Sequence, residues 1–75
     1  FNPVTKFKID IAKQSNVKIK IFDILGREIE QIVNQNFSAG IYEITFDAPN
    51  LSASVYFYQL IVGNYIQTRK MVLLK

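Results

Sequence analysis

Apolar and polar residues alternate so regularly near the start of the chain that two strands are predicted from the pattern alone. After a lead-in from Phe1 to Val4, in which Pro3 holds Asn2 extended, Thr5 to Ile11 puts Phe7, Ile9 and Ile11 on one side and Lys6, Lys8 and Asp10 on the other. A short polar connection, Ala12 to Ser15, leads into Asn16 to Phe22, where Val17, Ile19 and Ile21 fall inward and Lys18 and Lys20 outward. Asp23-Ile24-Leu25-Gly26-Arg27 follows, and parity predicts its geometry. Keeping the apolar positions of both flanking strands on one face puts Ile21 opposite Ile29, Val17 opposite Val33 and Lys20 opposite Glu30, with a three-residue loop Ile24-Leu25-Gly26. Such loops are usually a type I turn closed by a left-handed residue, the place Gly26 occupies. Asp23 is expected to accept hydrogen bonds from the turn backbone.

Arg27 to Val33 is then a strand of weaker pattern, because Gln31 lies on its inward side, and Asn34 to Gly40 reads as a polar loop with Gly40 at positive φ. Ile41 to Asp47 alternates again, with Tyr42, Ile44 and Phe46 on one face. Ala48 to Ser54 breaks the pattern over a length that suits a crossover between two sheets.

The densest apolar stretch is the last one. Val55 to Val62 is β-branched or aromatic at nearly every position, and Tyr65 to Leu74 runs back from Gly63-Asn64, a two-residue type II′ turn. That turn sets Tyr56 opposite Met71, Tyr58 opposite Arg69, Leu60 opposite Gln67 and Val62 opposite Tyr65. On the alternate face it sets Val55 opposite Val72, Phe57 opposite Lys70, Gln59 opposite Thr68 and Ile61 opposite Ile66. The Tyr56, Tyr58, Leu60, Val62 face is expected inward, since the Gln59–Thr68 pair makes the other face cheaper to wet. No segment keeps a helical period. The fold class is therefore all-β, a small antiparallel immunoglobulin-like β-sandwich of about six or seven strands, lacking the cysteine and tryptophan marks of antibody domains.

Composition narrows the chemistry. Seventy-five residues make one small domain, residues 1–75, able to bury about 60–65% of its unfolded surface. Ten aromatic residues still allow a compact core. With no cysteine and no histidine, disulfides, thiol nucleophiles, a serine triad and the commonest general base and metal ligand are all excluded. Most of the six acids lie at outward strand positions near lysines or at turn starts, and three glycines make no phosphate loop. No enzyme activity and no cofactor is expected. The net charge is +3, and Lys6, Lys8, Lys18 and Lys20 could gather into one positive patch. Lysines at such positions more simply blunt sheet edges, so no nucleic-acid partner is expected. Phe22, Phe37, Tyr65 and one face of Phe57 are the candidates for an exposed stacking platform, but core and inter-sheet packing is the favoured reading, since so small a sandwich needs every aromatic for burial. Asn36-Phe37-Ser38 and Asn50-Leu51-Ser52 fit the N-glycosylation pattern, a match too short to carry weight.

Several pieces stand in a familiar order: Phe1-Asn2-Pro3; the run VKIKIFDILG from Val17 to Gly26 with Arg27 after it; Ser38-Ala39-Gly40-Ile41-Tyr42; Val55 to Leu60; Gly63-Asn64; and Lys70-Met71-Val72-Leu73-Leu74-Lys75. Together they resemble the C-terminal sorting domain (type A) of the type IX (Por) secretion system. The family usually has glycine where this chain has Ser54, and a further Asn-Pro just upstream of Phe1. The resemblance implies an address, not a reaction: a fragment of a larger secreted protein that carries a folded, covalently linked N-terminal cargo from the periplasm to an outer-membrane translocon. Shuttle proteins and a sorting peptidase are the further partners it implies, with the cargo ending on the outer-membrane surface or outside the cell. By position it singles out Asp23, Gly26 and Arg27; Gly40 and Tyr42; Tyr56, Gly63 and Asn64; and Lys70, Met71, Val72, Leu73, Leu74 and Lys75 as the translocon signal. A last strand that ends its sheet would offer backbone groups to a receptor, or to a second copy as a dimer. The alternative is an accessory immunoglobulin-like module kept on the mature protein, as in flagellar hook-cap proteins or polysaccharide-degrading enzymes, serving as a spacer or binding carbohydrate.

Overall fold

A computed structural model of the chain describes residues 4–47 and 51–74. Within them the chain forms six antiparallel strands: β1 (Val4–Ile11), β2 (Ser15–Phe22), β3 (Glu28–Phe37), β4 (Gly40–Asp47), β5 (Ser54–Val62) and β6 (Tyr65–Leu73). They make two sheets, one of β1 and β4, the other in the order β3-β2-β5-β6. The connection from β4 to β5 therefore crosses between sheets, as its broken pattern predicts; three of its residues, 48–50, lie outside the described ones. The immunoglobulin-like class holds at the level of two facing antiparallel sheets.

The inward residues of both sheets meet. Val17, Ile19 and Ile21 of β2 are fully buried, with Ile9 and Ile11 of β1 above them. One cluster joins Ile9, Ile11, Val17 and Phe37, flanked by Tyr42, Leu60 and Val62; the other joins Ile21 and Phe46, flanked by Phe7, Tyr58 and Met71. Phe7 and Tyr58 stack tilted at 4.6 Å, and Phe37 and Tyr42 at 4.7 Å. These ring contacts set β1 over β5, and β4 over the β2–β3 side.

The β5–β6 hairpin has the register its turn predicts at every pair from Val55↔Val72 to Val62↔Tyr65. Gly63 has φ +57 and no non-glycine residue among those described has positive φ, as a type II′ turn requires. Tyr56, Tyr58, Leu60 and Val62 face the core. Ser54, where the family usually has glycine, begins β5 without positive φ.

The β2–β3 hairpin departs from expectation. The unbroken register would put Ile21 opposite Ile29, Val17 opposite Val33 and Lys20 opposite Glu30. The partners are instead Glu30, Gln35 and Gln31, because the ladder shifts twice, at Ile29 and at Ile32. A bulge sets two residues of one strand against one of the other. The shift at Ile32 moves Gln31 out beside Lys20 and lets Ile32 and Val33 both pack on the core. An unbulged strand would have turned Gln31 inward, so the bulge removes a polar group from the core face. The strand also continues through Asn34 to Phe37, a stretch that reads as polar loop, because Phe37 anchors it in the core. Phe37 is thus no part of an exposed platform; among the described aromatic residues only Tyr65 is classed as exposed. Nor do the lysines gather: Lys6 and Lys8 lie on the outer face of the small sheet, Lys18 and Lys20 on that of the large one. Lys6 pairs with Glu43 and Lys20 with Glu28, each at 3.4 Å.

Candidate functional site

The motif residues collect at the two ends of the sandwich. At one end is the β2–β3 turn. Gly26 N–H donates to the Asp23 carbonyl and Asp23 N–H to the Arg27 carbonyl, both at 2.9 Å, and Gly26 has φ +82. This is the predicted type I turn closed by a left-handed glycine. The Asp23 carboxylate holds it from inside: Oδ1 accepts from the amides of Leu25 and Arg27, each at 2.9 Å, and Oδ2 accepts from Arg27 Nε at 2.7 Å. With both polar ends of the loop engaged, the two residues between them are left outward. Ile24 is 61% and Leu25 74% exposed.

The Arg27 backbone amide is the main reason the Asp23 carboxyl sits below its ordinary pKa of 3.8; partial desolvation opposes it, and the Arg27 side chain and Leu25 amide add to the lowering. A carboxyl whose folded pKa is depressed stabilises the fold fully above its unfolded value and ceases to do so as pH falls through the folded one. The stability difference between the parent and Asp23→Ala is therefore expected to be full at neutral pH, to shrink below about pH 4, and to lose its ionic part in stronger acid. Urea melts of the two proteins across that range check it; a difference that grew on acidification would contradict the lock.

The last strand ends beside this turn. β2 and β5 run antiparallel with Phe22 opposite Phe57, and Phe57 is opposite Lys70, so one row crosses the outer face from the Asp23 turn to the terminal motif. The next row pairs Val55 with Val72. Within the motif the side chains divide by alternation. Met71 packs on the core and Leu73 is only 1% exposed, whereas Lys70, Val72 and Leu74 reach the surface. Lys75 lies outside the described residues. β6 bonds to β5 alone and so borders the sheet.

Gly40, Tyr42, Gly63 and Asn64 stand at the opposite end. The Gly63 amide donates to the Asn16 carbonyl at 3.1 Å. Gly40 has φ +151, and a Cβ there would meet the Tyr42 hydroxyl at 3.5 Å and its ring at 3.6 Å, so the tyrosine lies over the glycine. The Tyr42 hydroxyl donates to the Ser38 carbonyl at 2.8 Å, and that of Tyr56 to the Ser52 carbonyl at 2.7 Å. Both reach back four residues and pin the chain entering a strand, the device known as a tyrosine corner. These positions hold the fold; the surface groups of the first end remain available for contact. Ile24 and Leu25 are the residues that motif reading passed over, although two large apolar side chains inside a predicted loop were the signal.

The turn and the border strand thus bring two sequence motifs to one end of the large sheet. The sequence profile of the secretion system C-terminal sorting domain matches residues 2–74, and the chain belongs to that family. It is a sorting domain of type IX secretion. Neither a curated protein nor a solved structure matches the chain.

Proposed function

We propose that this chain directs a folded cargo, joined to its N-terminal side, through the outer-membrane translocon of the type IX system, and that it does so without catalysis. The recognition surface is the end of the large sheet that carries the Ile24-Leu25 tip and the exposed groups of the terminal motif. The observation that supports this reading is their adjacency: two motifs 43 positions apart (from Arg27 to Lys70) are brought to one end of one sheet. β6 offers backbone groups along its free edge, so a receptor strand can add to the sheet there, with Lys70 and the aliphatic side chains supplying selectivity. Passage through the periplasm, handling by shuttle proteins and removal by a sorting peptidase belong to the same reading.

The test uses a folded fluorescent reporter with an ordinary export signal and this domain at its C-terminus, in a host with a type IX system. The double variant Lys70→Glu, Leu74→Asp alters only exposed side chains and is expected to leave the fold intact while trapping the reporter in the periplasm. Export of the variant at the parent level, with an unrelated sorting domain working in the same host, would sink the terminal strand as a signal.

A further inference from the structure

The end of the sandwich that carries the recognition surface is also the end from which a cargo tether leaves. Thr5 of β1 is opposite Phe46 of β4, and Phe46 shares a buried cluster with Ile21, flanked by Phe7, Tyr58 and Met71. Ile11, the last residue of β1, is opposite Gly40 and lies in the other cluster with Val17, flanked by Val62. β1 therefore starts at the end that holds the Asp23 turn and the close of β6, and runs away from it. Val4, its first residue, is 49% exposed, and its side chain adds to the exposed apolar groups of this end, Ile24, Leu25, Val72 and Leu74.

Lengths decide what this placement does. Strands of 8–10 residues rise about 3.3 Å per residue, so the 36 Å axis of the fold runs along them and its end measures 21 by 16 Å. A small folded domain is about 30 Å across. The three residues before Val4 reach at most about 10 Å even when fully extended. A cargo joined at Phe1 is thus held against an end narrower than itself, and a receptor of similar width has no room there. Had β1 run the other way, the 36 Å length of the fold would itself separate cargo from tip. A flexible Gly/Ser chain of n residues has an r.m.s. reach of about 5–6 Å × √n, so clearing one domain width takes about 30 residues. We infer that a spacer of about this length between cargo and Val4 is a working part of the signal. A closely joined cargo covers Ile24 and Leu25, and the length of the spacer, not its sequence, uncovers them. The receptor in this inference rests on the export reading; the covering of the tip follows from the chain's own geometry.

Two fusions of a cysteine-free fluorescent reporter test this, one joined directly at Phe1 and one through a Gly/Ser spacer of about 30 residues. In a host with a type IX system the spaced fusion is expected to be exported and the direct one to stay in the periplasm. The chain has no cysteine, so Leu25→Cys supplies a single thiol at the tip and, in a separate protein, Ile41→Cys supplies one at the opposite end; both positions are exposed. The probe is a globular protein bearing one maleimide, added to the purified fusions. The Leu25→Cys thiol is expected to be blocked in the direct fusion and to react in the spaced one, while the Ile41→Cys thiol reacts equally in both. Equal export of the two fusions, or equal labelling of the Leu25→Cys thiol in them, would overturn the inference. Retention of both fusions, beside an unrelated sorting domain that works, would overturn the export reading and with it the need for a spacer, while the labelling reports separately on the covered tip.

Discussion

Leu73→Ala is expected to destabilise the fold by about 2–5 kcal/mol, the range for truncating a fully buried leucine. Leu73 is 1% exposed although it is among the last residues of the chain, and it lies opposite Ser54, where β5 begins. A chain of 75 residues has about 4–11 kcal/mol of stability in all, so this one change can remove half of it. A shift in melting temperature of roughly 10 °C or more should follow, read by thermal melts of the parent and variant. A loss below about 1 kcal/mol would mean that the end of β6 frays and that Leu73 is not held as described. The expectation bears on how the signal is tested. Deleting Lys70 to Lys75 removes Leu73 and Met71 from the core together with the exposed groups, so failed export of the truncated chain would report unfolding as readily as a lost signal. Point changes at Lys70 and Leu74 separate the two.

What could be read from the sequence follows from how much each segment constrains itself. The last hairpin was legible to the residue because a two-residue turn leaves no freedom of register, and Gly63 marks its place. The Asp23 turn was legible because Gly26 marks the left-handed position that closes a three-residue loop, and the structure supplies the four amides and two carbonyls that parity only implied. The β2–β3 register was not, beyond the pair Phe22↔Glu28 next to the turn. Parity assumes a continuous ladder, and the adjacent apolar pair Ile32-Val33 was the sign that β3 does not alternate. A border strand is paired on one side only, so it accommodates bulges that a central strand would resist. The core role expected of Phe37 holds, but the extension of β3 to reach it was missed, because Asn34, Gln35 and Asn36 read as polar loop. The adjacency of the two motifs had no signal in the sequence at all, since it depends on β2 pairing with β5 across the sheet order.

Ile24→Ser with Leu25→Ser should remove export while leaving the fold nearly unchanged. The two residues occupy the central positions of a type I turn whose ends, Asp23 and Gly26, hold its geometry, and those central positions accept most residues. Serine there suits a turn, and neither leucine nor isoleucine contributes to the core at this exposure. A monomeric chain has no packing reason to keep two large aliphatic side chains at a rigid tip. A partner surface does, because a tip held by five hydrogen bonds, three of them to one carboxylate, presents its apolar groups with little ordering left to do on binding. Interface hot spots cost about 2 kcal/mol or more when truncated; with this tip as one, export in the reporter assay should fall at least about tenfold. Melting temperatures within about 3 °C of the parent would show that the loss is one of recognition. Normal export by the serine variant would confine recognition to the last strand, and the Asp23–Arg27 lock would then serve only to fix the β2–β3 turn.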